Sequence, residues 1–212
     1  MSILKGLGND IRAVILDLDG TMIDSFPDVV AAANQVRQEV GLPALPYDEV
    51  IAHVGYGPEV LLRGVLPGMA KDGAVEHFMS VYREMRDRNT VVFPGVREFL
   101  QGSGLRHAVL TNKMEKLAVA GLKRFDLARY FEKICGYDTI GYRKPDGRAL
   151  AWMLGALGLM PSQAVYIGDS SVDMETALAA DVPFVLVNTG LSSTLGDKRP
   201  RIVVERLDEL LK

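Results

Sequence analysis

The sequence is poor in several things, and each scarcity closes a route. It has one cysteine, Cys135, so no disulfide can form within the chain. The plain reading of Cys135 is a small residue near a strand end rather than a reactive thiol. Three histidines and one cysteine make no cluster with zinc-ligand spacing. There is no excess of positive charge: the formal net charge is -3, which gives no general electrostatic reason to bind nucleic acid or an anionic membrane. No apolar run approaches the roughly 20 residues of a membrane span, and the first ten residues hold no apolar core of the signal-peptide kind. The expected location is the cytoplasm. Nothing in the sequence separates a monomer from a homodimer.

What remains is the composition of a globular protein. The chain has 212 residues, 48% hydrophobic and 24% charged, enough for one ordinary domain and a smaller one, and for a core that needs no staples. Short apolar runs end in polar residues. Ala13-Val14-Ile15-Leu16 leads into Asp17, Ala108-Val109-Leu110 into Thr111-Asn112, Ala164-Val165-Tyr166-Ile167 into Gly168-Asp169-Ser170, and Phe184-Val185-Leu186-Val187 into Asn188-Thr189-Gly190. Such runs predict buried strands. Helical segments lie between them, over Lys113 to Phe125, Arg148 to Leu157 and Val172 to Ala180. The alternation predicts an α/β fold, a doubly wound parallel sheet with a Rossmann-like core. Right-handed crossovers put the strand carboxyl ends on one side, where open α/β sheets bind ligands.

The gap between the first strand and the next, near Arg106, far exceeds the roughly 30 residues of a βαβ unit. The surplus reads as helical. Ser25 can cap a helix with Pro27 in its first turn and Gly41 at its end. Asp48 can cap a second, Pro58 can open a third, and Asp72 to Arg88 can form a fourth with Val75, Phe78, Met79, Tyr82 and Met85 on one face. The expectation is a small helical cap domain at 22–89 inserted after the first strand, with the core at 1–21 and 90–212.

Four elements carry chemistry. Asp17-Leu18-Asp19-Gly20-Thr21 sets two acids about one apolar residue at a strand end, a pair that can divide labour between nucleophile and acid/base. Alone, it also fits a polar strand end that caps a helix. Gly168-Asp169-Ser170-Ser171-Val172-Asp173 brings two more acids to the same edge. Packed carboxylates repel unless a cation is present, and Mg²⁺ suits an all-oxygen site with one or two carboxylates. Thr111-Asn112 can donate to a phosphate at a helix start, and Lys144-Pro145-Asp146 can aim a cation into the acids. In isolation each of these also reads as capping or surface charge.

Together and in this order, the four elements resemble the haloacid dehalogenase-like hydrolase superfamily over nearly the whole chain. Within it, Val54-Gly55-Tyr56-Gly57 with Leu61-Leu62-Arg63, and Gly136-Tyr137-Asp138-Thr139, are similar to the phosphoglycolate phosphatase group. Tyr137 and Gly147 depart from that group's usual Gly and Pro. The resemblance implies Asp17 as nucleophile and Asp19 as acid/base. It implies Mg²⁺ held by Asp17, the main-chain carbonyl of Asp19, and Asp169. Thr111 and Lys144 would be catalytic and hold the phosphoryl group of a small phosphate substrate, with Asn112 beside them and Asp173 supporting from behind. The acid at position 19 argues for ester chemistry, because an alkoxide leaving group needs a proton. A phosphomutase of the β-phosphoglucomutase type, a nucleotidase, a pyrophosphatase and a non-catalytic binding module are the alternatives. A phosphonate hydrolase would need a cap lysine, for which Lys71 is the only candidate. Arg63 and His53 are candidates to touch substrate or ordinary helix residues, His77 and His107 have no evident partner, and Trp152 is expected in the core.

Overall fold

The computed structural model describes residues 3–7, 10–68, 73–190, 200 and 202–212. Lys71 and Asp72 lie outside the described residues. In chain order the strands are β1 (Ala13–Leu16), β2 (Ile23–Asp24), β3 (Val91–Val92), β4 (Arg106–Leu110), β5 (Lys133–Cys135), β6 (Ala164–Gly168), β7 (Phe184–Val187) and β8 (Ile202–Val204). The helices are α1 (Phe26–Glu39), α2 (Tyr47–Ile51), α3 (Pro58–Val65), α4 (Ala74–Met85), α5 (Val96–Gly102), α6 (Glu115–Arg124), α7 (Tyr137–Ile140), α8 (Gly147–Leu157) and α9 (Ser171–Ala179).

Six strands form one parallel sheet in the order β5-β4-β1-β6-β7-β8. β1 is central because all four of its residues are buried, and a strand covered on both faces needs no polar alternation. Val14 and Leu16 enter one apolar layer with Phe99 and Leu100 of α5 and Leu122 of α6. Ile15 enters the opposite layer with Leu150 and Met153 of α8 and Met174 of α9. Each fully buried side chain of this kind contributes about 1.5–3 kcal/mol. The strand order turns back on either side of β1, so the crevice of such a sheet opens at β1's carboxyl end.

The chain separates into two compact units, Met1–Ile23 with Val92–Lys212, and Asp24–Val91. The second holds α1 to α4. In α4 the buried residues are Phe78, Met79, Val81 and Tyr82, with Phe78 and Tyr82 stacked one turn apart, ring centroids 6.1 Å from each other. The chain leaves and returns through β2 and β3, which pair as a two-stranded sheet.

Several local expectations are corrected. Ser25 precedes α1, but its side chain makes no capping bond; the Asp24 carboxylate accepts the Phe26 N–H instead (3.1 Å). Asp48 lies inside the first turn of α2 and Pro46 holds the cap position. Trp152 is 39% exposed, because the buried stripe of α8 runs through Ala149, Leu150, Met153, Leu154 and Leu157 and leaves position 152 off it. Its ring lies 5.8 Å from the Lys133 ammonium. In the six-stranded sheet β5 and β8 had no sequence signal, and neither did the two-residue strands β2 and β3.

Candidate active site

The residues at the carboxyl ends of β1, β4 and β6 converge. Asp17 follows β1 directly, its N–H bonded to the Ile167 carbonyl of β6 (2.9 Å). Leu18 is fully buried, which turns the flanking acids away from the apolar layer. Gly20 has φ +86°, and a Cβ there would stand 2.3 Å from Asp169 Oδ2. Only glycine permits both that turn and the close approach. Thr21 Oγ1 donates to Asp169 Oδ1 (2.9 Å), and Thr189 Oγ1 donates to the Gly20 carbonyl (2.9 Å). The tight turn after Asp19 is thus tied to the β6 and β7 ends.

Lys144 is the hub. It is 4% exposed, donates to Asp173 Oδ1 (2.6 Å) and forms an ion pair with Asp17 Oδ1 (2.8 Å). Asp17 therefore shares with Asp173 the ammonium that faces its buried Oδ1. The lysine backbone is held on both sides by one carboxamide. Asn112 Nδ2 donates to the Lys144 carbonyl and Asn112 Oδ1 accepts the Lys144 N–H, both at 2.9 Å. Expected to touch substrate, Asn112 thus has main-chain positioning of Lys144 as its visible task. The Lys144–Pro145 peptide is cis. Asp173 also accepts from Tyr166 Oη (2.8 Å) and Ser170 Oγ (2.5 Å), and its carboxylate with Ser170 forms the capping box of α9. Thr111 is buried at the end of β4, its N–H bonded to the Cys135 carbonyl (3.1 Å). Asp19 faces a different lysine, Lys113, whose Nζ donates to Asp19 Oδ1 (2.7 Å).

The charges are arranged unevenly. Burial raises the Asp17 pKa against the pull of Lys144, and the charges of Asp173 and Asp19 add to it; the result is about 7. Asp169 is pushed well up by burial and then by Asp173 and Asp17, only partly offset by the Thr21 bond and Lys144. Burial would also raise Asp173, but Lys144, Ser170 and Tyr166 reverse it and hold it below the usual range. Burial would lower Lys144, yet Asp17 and Asp173 together keep it raised and charged.

Ligand oxygens of Asp17, Asp169 and Asp173 lie within 4.8 Å of one another. Asp173 is saturated by its own partners, whereas Asp17 shares the Lys144 ammonium with Asp173 and Asp169 carries the repulsion of both neighbours. That is the condition a divalent cation relieves, so the donor set fits a metal ion.

Two elements that sequence reasoning passed over take part. Tyr166 sits in an apolar run and looks like plain core, yet its hydroxyl holds Asp173. Lys113 follows Thr111-Asn112 and reaches Asp19. The remaining candidates have local surroundings of their own. Arg63 is exposed, its Nε 3.4 Å from the Glu59 carbonyl. His53 packs its ring against Gly64. His77 does have a partner, Glu39, and His107 another, with Nε2 2.7 Å from Ser103 Oγ. Burial raises the Cys135 thiol to about 11, which makes it inert. The departure at Tyr137 has a local partner: the Arg143 guanidinium lies 3.8 Å from its ring centroid.

The model of the haloacid dehalogenase-like hydrolase family matches residues 14–187. The chain belongs to this family. Relatives include phosphoglycolate phosphatase of Pseudomonas savastanoi pv. phaseolicola, 36% identical over 94% of this chain and 78% of the relative. The plasmid-encoded phosphoglycolate phosphatase of Cupriavidus necator is 38% identical over 87% of this chain and 84% of the relative. A crystal structure of a predicted phosphoglycolate phosphatase from Haemophilus somnus superposes with a TM-score of 0.87, covering 95% of this chain and 96% of that one at 23% identity. That likeness speaks for the fold of this hydrolase. Among its described residues no helix is long and apolar enough to cross a membrane.

Proposed function

We propose that the protein is a magnesium-dependent phosphatase that hydrolyses 2-phosphoglycolate through an aspartyl-phosphate on Asp17. One observation carries the reading: a buried lysine, Lys144, bridges Asp17 and Asp173 at 2.8 and 2.6 Å, with a second acid, Asp19, two residues past the nucleophile. Phosphoryl transfer asks for such positioning and charge more than for new covalent chemistry. The relatives named above supply the substrate.

A carboxylate oxygen of Asp17 attacks phosphorus, and the bond to the ester oxygen breaks in line. Asp19 gives that oxygen its proton. It then takes a proton from the water that attacks the aspartyl-phosphate, releasing orthophosphate and restoring Asp17. Lys144 and the Thr111 hydroxyl hold the equatorial oxygens through the transfer. Asn112 fixes the Lys144 main chain and Asp173 its ammonium. Mg²⁺ would be held by Asp17, the Asp19 main-chain carbonyl and Asp169, and would supply the positive charge that lets a carboxylate meet a phosphate dianion. The inserted helical unit, drawn at 22–89 from the sequence, is read as the cap domain that the resemblance implies.

The test is orthophosphate release from 2-phosphoglycolate, sugar phosphates, nucleoside monophosphates and pyrophosphate, with and without Mg²⁺. Magnesium-dependent release confined to 2-phosphoglycolate is expected. Release from another member instead would reassign the substrate and keep the chemistry. No release from any of them by folded protein would end the phosphatase reading.

A further inference from the structure

The mechanism above uses Lys144 but leaves a second lysine unexplained. Lys113 Nζ donates to Asp19 Oδ1 at 2.7 Å, and the two side chains are 13% and 21% exposed. Its root is fixed. The Lys113 N–H is bonded to Thr111 Oγ1 (3.2 Å), and its carbonyl lies against Gly136, where a Cβ would stand 2.4 Å away. The root of the side chain is therefore anchored, and its ammonium stands on the side of the acid/base and not of the nucleophile.

The chemistry of the leaving group gives that position a meaning. The ester oxygen must come within about 2.6–3.2 Å of Asp19 to receive its proton. When it shares Oδ1 with Lys113, Nζ lies within about 6 Å of the ester oxygen. A carboxylate one carbon beyond that oxygen spans about half of this distance, and an ion pair of about 2.8 Å closes the rest. A neutral group at the same place offers the ammonium no opposite charge. Lys144 cannot serve here, because both of its carboxylate partners lie on the nucleophile side.

We propose that Lys113 is a specificity-determining residue: its ammonium receives the carboxylate of the leaving group, so that the site selects phosphate esters of 2-hydroxy acids over neutral alkyl phosphates. The inference rests on the phosphatase reading above and extends it to the part of the substrate that departs. A flexible ammonium on a four-carbon stem suits this task, since it can turn from Asp19 to an incoming carboxylate without moving its root.

The test compares 2-phosphoglycolate with 2-hydroxyethyl phosphate, which keeps the ester and replaces the carboxylate by a neutral alcohol. It is run on the magnesium-loaded wild type, Lys113→Met and Lys113→Arg. The expected result is a wild-type preference for 2-phosphoglycolate in kcat/KM. That preference should fall at least tenfold in Lys113→Met, chiefly through KM for the anionic substrate, and return in large part in Lys113→Arg. If Lys113→Met loses both substrates in the same proportion, Lys113 acts only through Asp19 or the fold, and the carboxylate subsite is overturned while the phosphatase reading stands. If Lys113→Met leaves the preference intact, the subsite is likewise overturned. If the wild type turns over both esters equally, or neither, the substrate assignment and the subsite fall together.

Discussion

Among the described residues, buried carboxylates stand in two places, a single acid and a cluster, and the two are built in opposite ways. At the root of the helical unit, Asp28 is fully buried and saturated. Its Oδ1 accepts from the Asn89 N–H (3.0 Å) and Nδ2 (2.9 Å), and its Oδ2 from the Thr90 N–H (3.2 Å) and Oγ1 (2.7 Å). That acid joins the start of α1 to the returning strand. At the strand ends of the core, burial raises the pKa of both Asp17 and Asp169; the charges of Asp173 and Asp19 add to it at Asp17, and those of Asp173 and Asp17 add to it at Asp169. A buried charge that meets its hydrogen bonds stabilises a structure. Buried charges set against each other cost stability and are retained where a ligand relieves them. The contrast assigns architecture to Asp28 and chemistry to the cluster, and it can be broken by substitution on either side.

The largest effect should come from Asp17. Asp17→Asn removes the nucleophile and should lower kcat by about ten-thousandfold or more. It also removes a charge that Asp169 and Asp173 repel, so the metal-free variant should melt no lower than the metal-free wild type. A variant that loses activity and also unfolds early would contradict the strain assigned to this cluster.

Asp28 should show the reverse pattern. Asp28→Ala leaves four donors of Asn89 and Thr90 without their acceptor, which should cost about 3–5 kcal/mol, in the range for breaking a buried charged network. Denaturant unfolding at neutral pH measures it. Residual turnover per folded molecule should stay far above that of Asp17→Asn. A loss of less than about 1 kcal/mol would mean that water replaces the carboxylate and that the clasp is not structural.

The two sets were not equally legible. The core cluster was readable because buried parallel strands are written as continuous apolar runs, and the acids follow directly after β1 and β6. The clasp was not, because Asp28 and Asn89 lie 61 residues apart and neither residue breaks a pattern. Lys113 was hidden for the same reason, since its bond reaches Asp19, 94 positions away; Tyr166 was hidden because it stands inside an apolar run and only its hydroxyl reaches Asp173. β5 and β8 escaped because each is a three-residue edge strand with incomplete burial, too short to show a run. Trp152 was misplaced because a large aromatic in an apolar helix suggests core, while its phase on α8 puts it outside the stripe.

Asn112 tests whether positioning alone is measurable. Its carboxamide supplies both bonds to the Lys144 main chain. Asn112→Ala should destabilise by about 1–3 kcal/mol and reduce kcat by about tenfold, because Lys144 loses its register while keeping its charge. Asn112→Asp keeps an acceptor for the Lys144 N–H but sets a carboxylate against the Lys144 carbonyl, so it should do no better than alanine. Full activity in Asn112→Ala would show that Asp17 and Asp173 suffice to place the lysine.

The smallest effect is a shift in melting temperature, and it bears directly on why the cluster is strained. Asp17 has its pKa raised from 3.8 to about 7. A carboxyl raised in the folded state contributes stability that is complete below its unfolded value and disappears as pH rises through the folded value. The metal-free protein should therefore lose stability between about pH 4 and pH 7 from this group, with Asp169, raised in the same direction, adding to the loss. A divalent cation binds the deprotonated carboxylates and not the protonated ones. The gain in melting temperature on adding Mg²⁺ should thus be small at pH 5.5 and several degrees larger at pH 8. The same pair of measurements on Asp28→Asn should show the wild-type difference, since Asp28 accepts its bonds outside the cluster. A magnesium gain that is flat across this pH interval would mean that Asp17 and Asp169 are not the ligands, and the division of labour between the two sets of acids would have to be redrawn.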